Sequence, residues 1–279
     1  ALNAMTEGST VTGGAEADAV QNGEYKSITL VLDKTAPEIK VTYVDQSTKK
    51  EVKPENVLHD GRLYFAKPVN MKIEVKDANL RYHELKEYLR KLKVTDSKGV
   101  NISDSEAEKW IAAINASSTS INGITWEIPL STEANYVFPI SYEDLAGNIT
   151  TYATQKATMD QTKPEFKLSY SVTNSAFLDA INYKDLGFLF ADHKLTIHAD
   201  TSDKIAGIHI IRYTITDENG KTTIKESPIN PAAAASYEVV LPLETSDFNG
   251  TVKAEILDWS NNIDSESHGY VVESAERHN

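Results

Sequence analysis

Large apolar residues along much of this chain recur at every second position. Ile39, Val41 and Tyr43 alternate with Lys40, Thr42 and Val44, and Met71, Ile73 and Val75 with Lys72, Glu74 and Lys76. Tyr136, Phe138, Ile140 and Tyr142 form a third run. A period of two places one set of side chains on one face of a pleated strand, so each run predicts a half-buried strand. Pro139 inside the third run has no N–H to give to a ladder, which predicts a sheet edge or a bulge there. The second half continues the pattern with Phe166/Leu168/Tyr170/Val172, Leu195/Ile197, Ile208/Ile210, 222–225, Tyr237/Val239/Leu241 and Val252/Ala254/Ile256. Asn219-Gly220 and Asn249-Gly250 are turn signals between them. Two segments switch to the helical period. Tyr82, Leu85, Leu89 and Leu92 share one helix face, and a capping box at Ser103 and Glu106 precedes the stripe Ala107, Trp110, Ile111 and Ile114.

Repeated punctuation divides this pattern. D-L-A-G-N at 144–148 has a weaker copy, D-W-S-N-N, at 258–262; L-D-K-T-A-P at 32–37 returns as M-D-Q-T-K-P at 159–164. The opening copies are 160 − 33 = 127 residues apart and the closing copies 258 − 144 = 114. A spacing of this size marks a divergent domain repeat, not a short-period solenoid. Residues 1–32 read as a leader or the remnant of a preceding module with its last strand at 27–32, followed by one domain over 33–159 and a second over 160–279. Phe138, Ile140 and Tyr142 align with Val252, Ala254 and Ile256, so the same face is apolar in both.

Composition narrows the function. Two cores are the natural expectation for 279 residues. The net charge of −13, without a long basic cluster, argues against nucleic acid, whose phosphates need a positive face. There is no cysteine, which removes disulfide and thiolate chemistry. No apolar run approaches the roughly 18 residues of a membrane span, so no membrane insertion is expected within these residues. The first residues lack the basic and apolar regions of a signal peptide, which fits an internal fragment if the protein is secreted.

The combination Y-x-F-x-I-x-Y-x-D-L-A-G-N followed by D-x-T-x-P resembles the closing strands and junction of bacterial immunoglobulin-like domains. The resemblance runs over both modules, from about Ile28 to about Val272, and departs where D-W-S-N-N lacks glycine and where helical segments interrupt the first module. It implies mainly β, tandem immunoglobulin-like β-sandwiches, the first with short helical insertions. It also implies an extracellular or cell-surface setting, notably in Gram-positive bacteria, and a spacer, stalk or adhesive role beside neighbouring domains of the same polypeptide. The alternative is a module binding host glycan or protein, accessory to an extracellular enzyme.

Two readings of the motif stand side by side. In the first, Gly147 and Asn148 tolerate positive φ and so can make a tight turn, and the Asp144 carboxylate can accept backbone N–H groups; the same turn fits Asp258 with Asn261 and Asn262. In the second, Asp144 and Asp160 are calcium ligands at the internal junction, contributing to the six to eight oxygens the ion requires. No other cofactor is expected. His83-Glu84 lacks the second histidine of a zincin, since position 87 is Glu. His193 and His198 fall on opposite faces of a strand, and His209 reads as a surface residue of a sheet. Nucleophile-elbow, P-loop and dinucleotide fingerprints are missing, so no catalytic residues are assigned and the chain reads as non-enzymatic. Among the aromatics, Tyr64/Phe65 and Phe188/Phe190 fit core packing. Trp259 replaces a small turn residue, and is either a ligand contact or a cover over a sandwich end or junction.

Overall fold

The computed structural model describes residues 10–14, 27–80, 95–96, 119–120, 122–172, 194–242 and 248–272. The described residues form strands and connecting turns, and no helix occurs among them. The segments around Leu85 and Trp110, with His83, His193, Phe188 and Phe190, lie outside them.

In the first half the strands are β1 (Thr10–Gly14), β2 (Ser27–Val31), β3 (Glu38–Asp45), β4 (Asn56–Val57), β5 (Leu63–Phe65), β6 (Val69–Lys76), β7 (Thr95–Asp96), β8 (Thr119–Ser120), β9 (Gly123–Leu130), β10 (Ala134–Glu143) and β11 (Ile149–Met159). Sheets β3-β6-β9-β8 and β4-β5-β11-β10-β7 both contribute side chains to one hydrophobic cluster, so the core lies between them as in a β-sandwich. The second half comprises β12 (Glu165–Val172), β13 (Leu195–Ser202), β14 (Ile208–Asp217), β15 (Thr222–Ala232), β16 (Ala234–Leu241), β17 (Phe248–Asp258) and β18 (Ile263–Val272). Sheets β12-β13-β16 and β15-β14-β17-β18 enclose a separate cluster. The strands β1 and β2 form a two-stranded sheet of their own.

Alternation becomes burial most fully in the strand before the closing turn of each half, whereas Phe166, Leu168 and Tyr170 are half-buried and 222–225 is largely exposed. Phe138, Ile140 and Tyr142, and likewise Val252, Ala254 and Ile256, are all buried. Pro139 sits at a register shift between Phe138 and Ile140 in the pairing of β10 with β11, beyond the two residues that β10 pairs with β7; the ladder bulges around the missing donor. A further strict alternation, in β9, is obscured in the sequence by Gly123 at its start and Pro129 near its end. Its inward residues Ile124, Trp126, Ile128 and Leu130 are buried, worth about 1.5–3 kcal/mol apiece.

Two expectations need correction. Asn249-Gly250 is not a turn but part of β17, and glycine is required because a Cβ there would stand 2.0 Å from the Thr216 carbonyl oxygen. In β14 the ladder shifts between Ile208 and Ile210, so the buried set continues as Ile211, Tyr213 and Ile215. A bulge inverts the phase of every residue after it, which a strict period of two does not anticipate.

Candidate metal centres

The closing turn of each half is built on its aspartate. Asp144 Oδ1 accepts the N–H groups of Ala146 and Asn148, both at 2.8 Å, and Gly147 has φ 90°. In the copy, Asp258 Oδ1 accepts Asn262 N–H at 2.9 Å, and Asn261 takes φ 63° in place of the glycine. Asparagine tolerates the left-handed region better than other residues with a Cβ, which is how the turn survives the substitution. The positive φ falls on Gly147 and not on Asn148, whose role is in its side chain. Its side-chain amide donates to Asp144 Oδ2 at 2.8 Å and to the Asp33 carbonyl at 3.3 Å; Asn262 donates to Asp258 Oδ2 and to the Asp160 carbonyl, both at 2.8 Å. Each asparagine thus clips the closing turn to the opening linker of its own half.

That clip brings together three carboxylates per half. Asp33, Asp77 and Asp144 form one group, and Asp160, Asp203 and Asp258 the other; within each, one oxygen per residue lies within 4.8 Å of the others. Asp144 and Asp160 therefore do not converge at one site. They are separated by the eleven residues of β11, a span of roughly 35 Å in an extended strand. Asp77 and Asp203, the members the motif reading missed, follow β6 and β13. Their offset, 203 − 77 = 126, nearly equals that of the opening aspartates, and this was the available signal.

Backbone donors orient the carboxylates. Thr35 N–H reaches Asp33 Oδ1 at 2.9 Å, and Asn79 N–H reaches Asp77 Oδ1 at 2.6 Å, while the Asn79 amide hydrogen-bonds Asp33. In the second group Thr162 and Ala206 N–H donate to the two oxygens of Asp160 at 3.0 Å each. Ile205 and Gly207 N–H donate to Asp203 Oδ1 at 3.1 and 2.7 Å. A cleft of about 300 Å³ opens beside Asp160 and Asp203 with Glu133 on its wall, and one of about 720 Å³ opens beside Asp33 and Asp77.

The two groups differ in burial. All three aspartates of the second are buried, whereas Asp33 and Asp77 are half-buried. Burial pushes Asp160 up to about 6, with the Asp203 charge adding to the rise. Burial likewise pushes Asp258 up to about 7, against the lowering effect of the Asn262 hydrogen bonds, and raises Asp203. Asp77 is raised by burial and, less, by the charges of Asp33 and Asp144. Such an oxygen-only set suits a hard cation: three carboxylates contribute three of the six to eight ligands of calcium, leaving the rest to carbonyls and water.

The second group lies against the first half of the chain. Asp160 N–H donates to the Phe65 carbonyl at 3.0 Å. The Trp259 ring is half-buried, with centroids 5.4 Å from Tyr64 and 4.2 Å from His209, and its Nε1–H donates to the Ile229 carbonyl. Asn56 Nδ2 donates to the Trp259 carbonyl and to Asn261 Oδ1, and Asn135 Nδ2 to the Ile205 carbonyl. His209 is not the surface residue expected. It is half-buried, its Nδ1 is buried without a hydrogen-bond partner, and burial lowers its pKa. His198, by contrast, sits 3.1 Å from Asp200 at the sheet surface. Tyr64, Phe65 and Trp126 are buried.

No protein-family model matches the chain, and no curated protein matches it in sequence. Solved structures do match at low similarity. The fibronectin(III)-like modules of Clostridium thermocellum CbhA share 15% identity over 87% of this chain and 97% of theirs, with a TM-score of 0.35. The C-terminal domain of the Streptococcus agalactiae AgI/II polypeptide BspA shares 10% identity over 85% and 100%, with a TM-score of 0.24. BcpA, the major pilin subunit of Bacillus cereus, shares 8% over 66% and 64%, with a TM-score of 0.23. No helix among the described residues is long and apolar enough to cross a membrane.

Proposed function

We propose that this chain is a non-catalytic pair of tandem immunoglobulin-like β-sandwiches from a bacterial surface or secreted protein, acting as a spacer, stalk or adhesive scaffold. The observation that carries this reading is the junction. A bare linker leaves two domains free to pivot. Here the Asp160 linker, Trp259 on Tyr64, and the amides of Asn56 and Asn135 form side-chain and backbone links across it. Such contacts give a spacer a fixed orientation, which transmits position or force along a chain of modules. Small-angle scattering tests it: a single narrow pair-distance distribution with two resolved centres of mass is expected, and a broad distribution of orientations counts against it. A glycan- or host-protein-binding role would use a surface other than the Trp259 ring, which already packs on Tyr64 and His209.

Calcium at the two aspartate groups is part of the same proposal. Its support is that each half gathers an equivalent all-oxygen trio at the pole where its chain enters, including the sequence-predicted Asp144 and Asp160. A divalent cation there relieves like-charge repulsion and locks the opening linker to the closing turn. Scanning calorimetry with calcium against chelator tests it, with an upward shift of melting expected; an unchanged profile removes the metal from the reading and leaves the spacer.

A further inference from the structure

The two poles that carry the aspartate groups are built alike, but among the described residues contacts from the other half of the chain cover the second and not the first. Trp259 follows Asp258 and donates its N–H to the Gly207 carbonyl at 3.1 Å; Leu145 follows Asp144 and donates its N–H to the Asn79 carbonyl at 2.8 Å. The Trp259 side chain packs on Tyr64 of the sandwich that precedes it. Leu145, its counterpart, is 65% exposed, and Ile149 at the end of the same turn is 60% exposed. The aspartates follow suit: those under Trp259 are all buried, and Asp33 and Asp77 beside Leu145 are not. Leading into Asp33 is the antiparallel pair β1–β2, just as the pair β10–β11 leads into Asp160. A two-stranded hairpin is marginal alone in water and is ordinarily stabilised by further strands or a packed face.

We propose that the pole of the first sandwich bearing Leu145, Ile149 and Asn148 is a docking surface for a preceding β-sandwich of the same polypeptide, of which β1–β2 is the closing hairpin. Docking places an apolar face of that module over Leu145, as Tyr64 lies against Trp259. It buries Asp33 and Asp77 to the degree already reached by Asp160 and Asp203. The occupant is set by the internal equivalence: the second pole is seated on the end of a sandwich whose last antiparallel pair, β10–β11, runs directly into its linker, and an antiparallel pair, β1–β2, likewise runs into the linker of the first.

This inference rests on the tandem reading, but the two fail in different places. Failure of the tandem junction appears at Asn56, Asn135 and Ile205; failure of this one appears only at 144–149. Hydrogen exchange of the parent polypeptide, extended through its natural upstream residues, is compared with that of the 279-residue chain. The amides of 144–149 are expected to exchange at least about tenfold more slowly in the longer polypeptide. Equal exchange overturns the proposal. The double substitution Leu145→Ser with Ile149→Ser, at exposed positions that the folded chain tolerates, is expected to abolish that protection and let the upstream module tumble independently by NMR relaxation. Retained protection in the double variant overturns the assignment of these two side chains, as would an upstream sequence without a sandwich pattern.

Discussion

A buried carboxylate must be held by donors, by a proton or by a cation, and in the second aspartate group backbone N–H groups reach all three residues. Asp203 is the informative member, because Oδ1 already takes two backbone N–H groups. Asp203→Asn keeps that acceptor and removes one negative charge from a buried trio. The metal-free variant is expected to be more stable than the native chain at neutral pH by about 1 kcal/mol, with the second calcium response lost, as read by thermal melts with and without calcium. Asn262→Ala acts in the opposite sense, since its amide joins Asp258 to the Asp160 carbonyl. A loss of about 1–3 kcal/mol is expected in urea unfolding. The raised values of Asp160, about 6, and Asp258, about 7, also fix a pH dependence. The folded state holds protons that the unfolded state releases near 4, so this contribution is fully present below about 4 and is lost as pH rises through 6 to 7. Metal-free protein is therefore expected to lose melting temperature over that window, and calcium to restore it most at the upper end, where protons no longer compete.

At the scale of elements, strands are specified by alternation until a bulge or a close backbone contact intervenes. The β3, β6 and β10 faces were legible because one side of each strand is continuously apolar. In β14 the shift after Ile208 moves burial to Ile211, Tyr213 and Ile215, and the visible Ile208/Ile210 pair pointed to the wrong continuation. Gly250 shows the same limit, since its need for glycine comes from Thr216, a residue 34 positions away across the β14–β17 pairing (250 − 216 = 34). Gly250→Ala forces the two strands apart and is expected to cost about 3 kcal/mol, measured by chemical denaturation. Gly220, in the turn between β14 and β15, has φ 79° with open space around its Cβ position. There the penalty of Gly220→Ala is conformational only, about 1 kcal/mol.

At the scale of the molecule, the two cores share no member among the described residues, and the pole around Trp259 links the two halves. Trp259→Ala removes the ring packed between Tyr64 and His209 and the Nε1–H bond to Ile229. Both sandwiches are expected to remain folded, with a loss of about 2 kcal/mol and a broadened distribution of orientations in solution scattering. Exchange at Asn56 and Asn135 is expected to rise while the buried strands β6 and β13 stay protected. Uniform loss of protection through both halves would instead make Trp259 part of a single cooperative core.

The sequence by itself determined the buried faces of β6 and β10 and the turn chemistry around Asp144 and Asp258, because these depend on neighbours within a few residues and on a motif written twice. It also contained the third aspartate of each group, as an offset of 126 beside one of 127, yet nothing local distinguishes Asp77 or Asp203 from a surface acid. Only the tertiary structure decided which carboxylates meet. It parted Asp144 from Asp160, placed each with two partners brought by the ends of other strands, and buried one group more deeply than the other. The physical reason is that sequence adjacency runs along a strand, whereas a cluster of charges forms across strand ends, where distance is set by sheet order and the packing of one sandwich on the next.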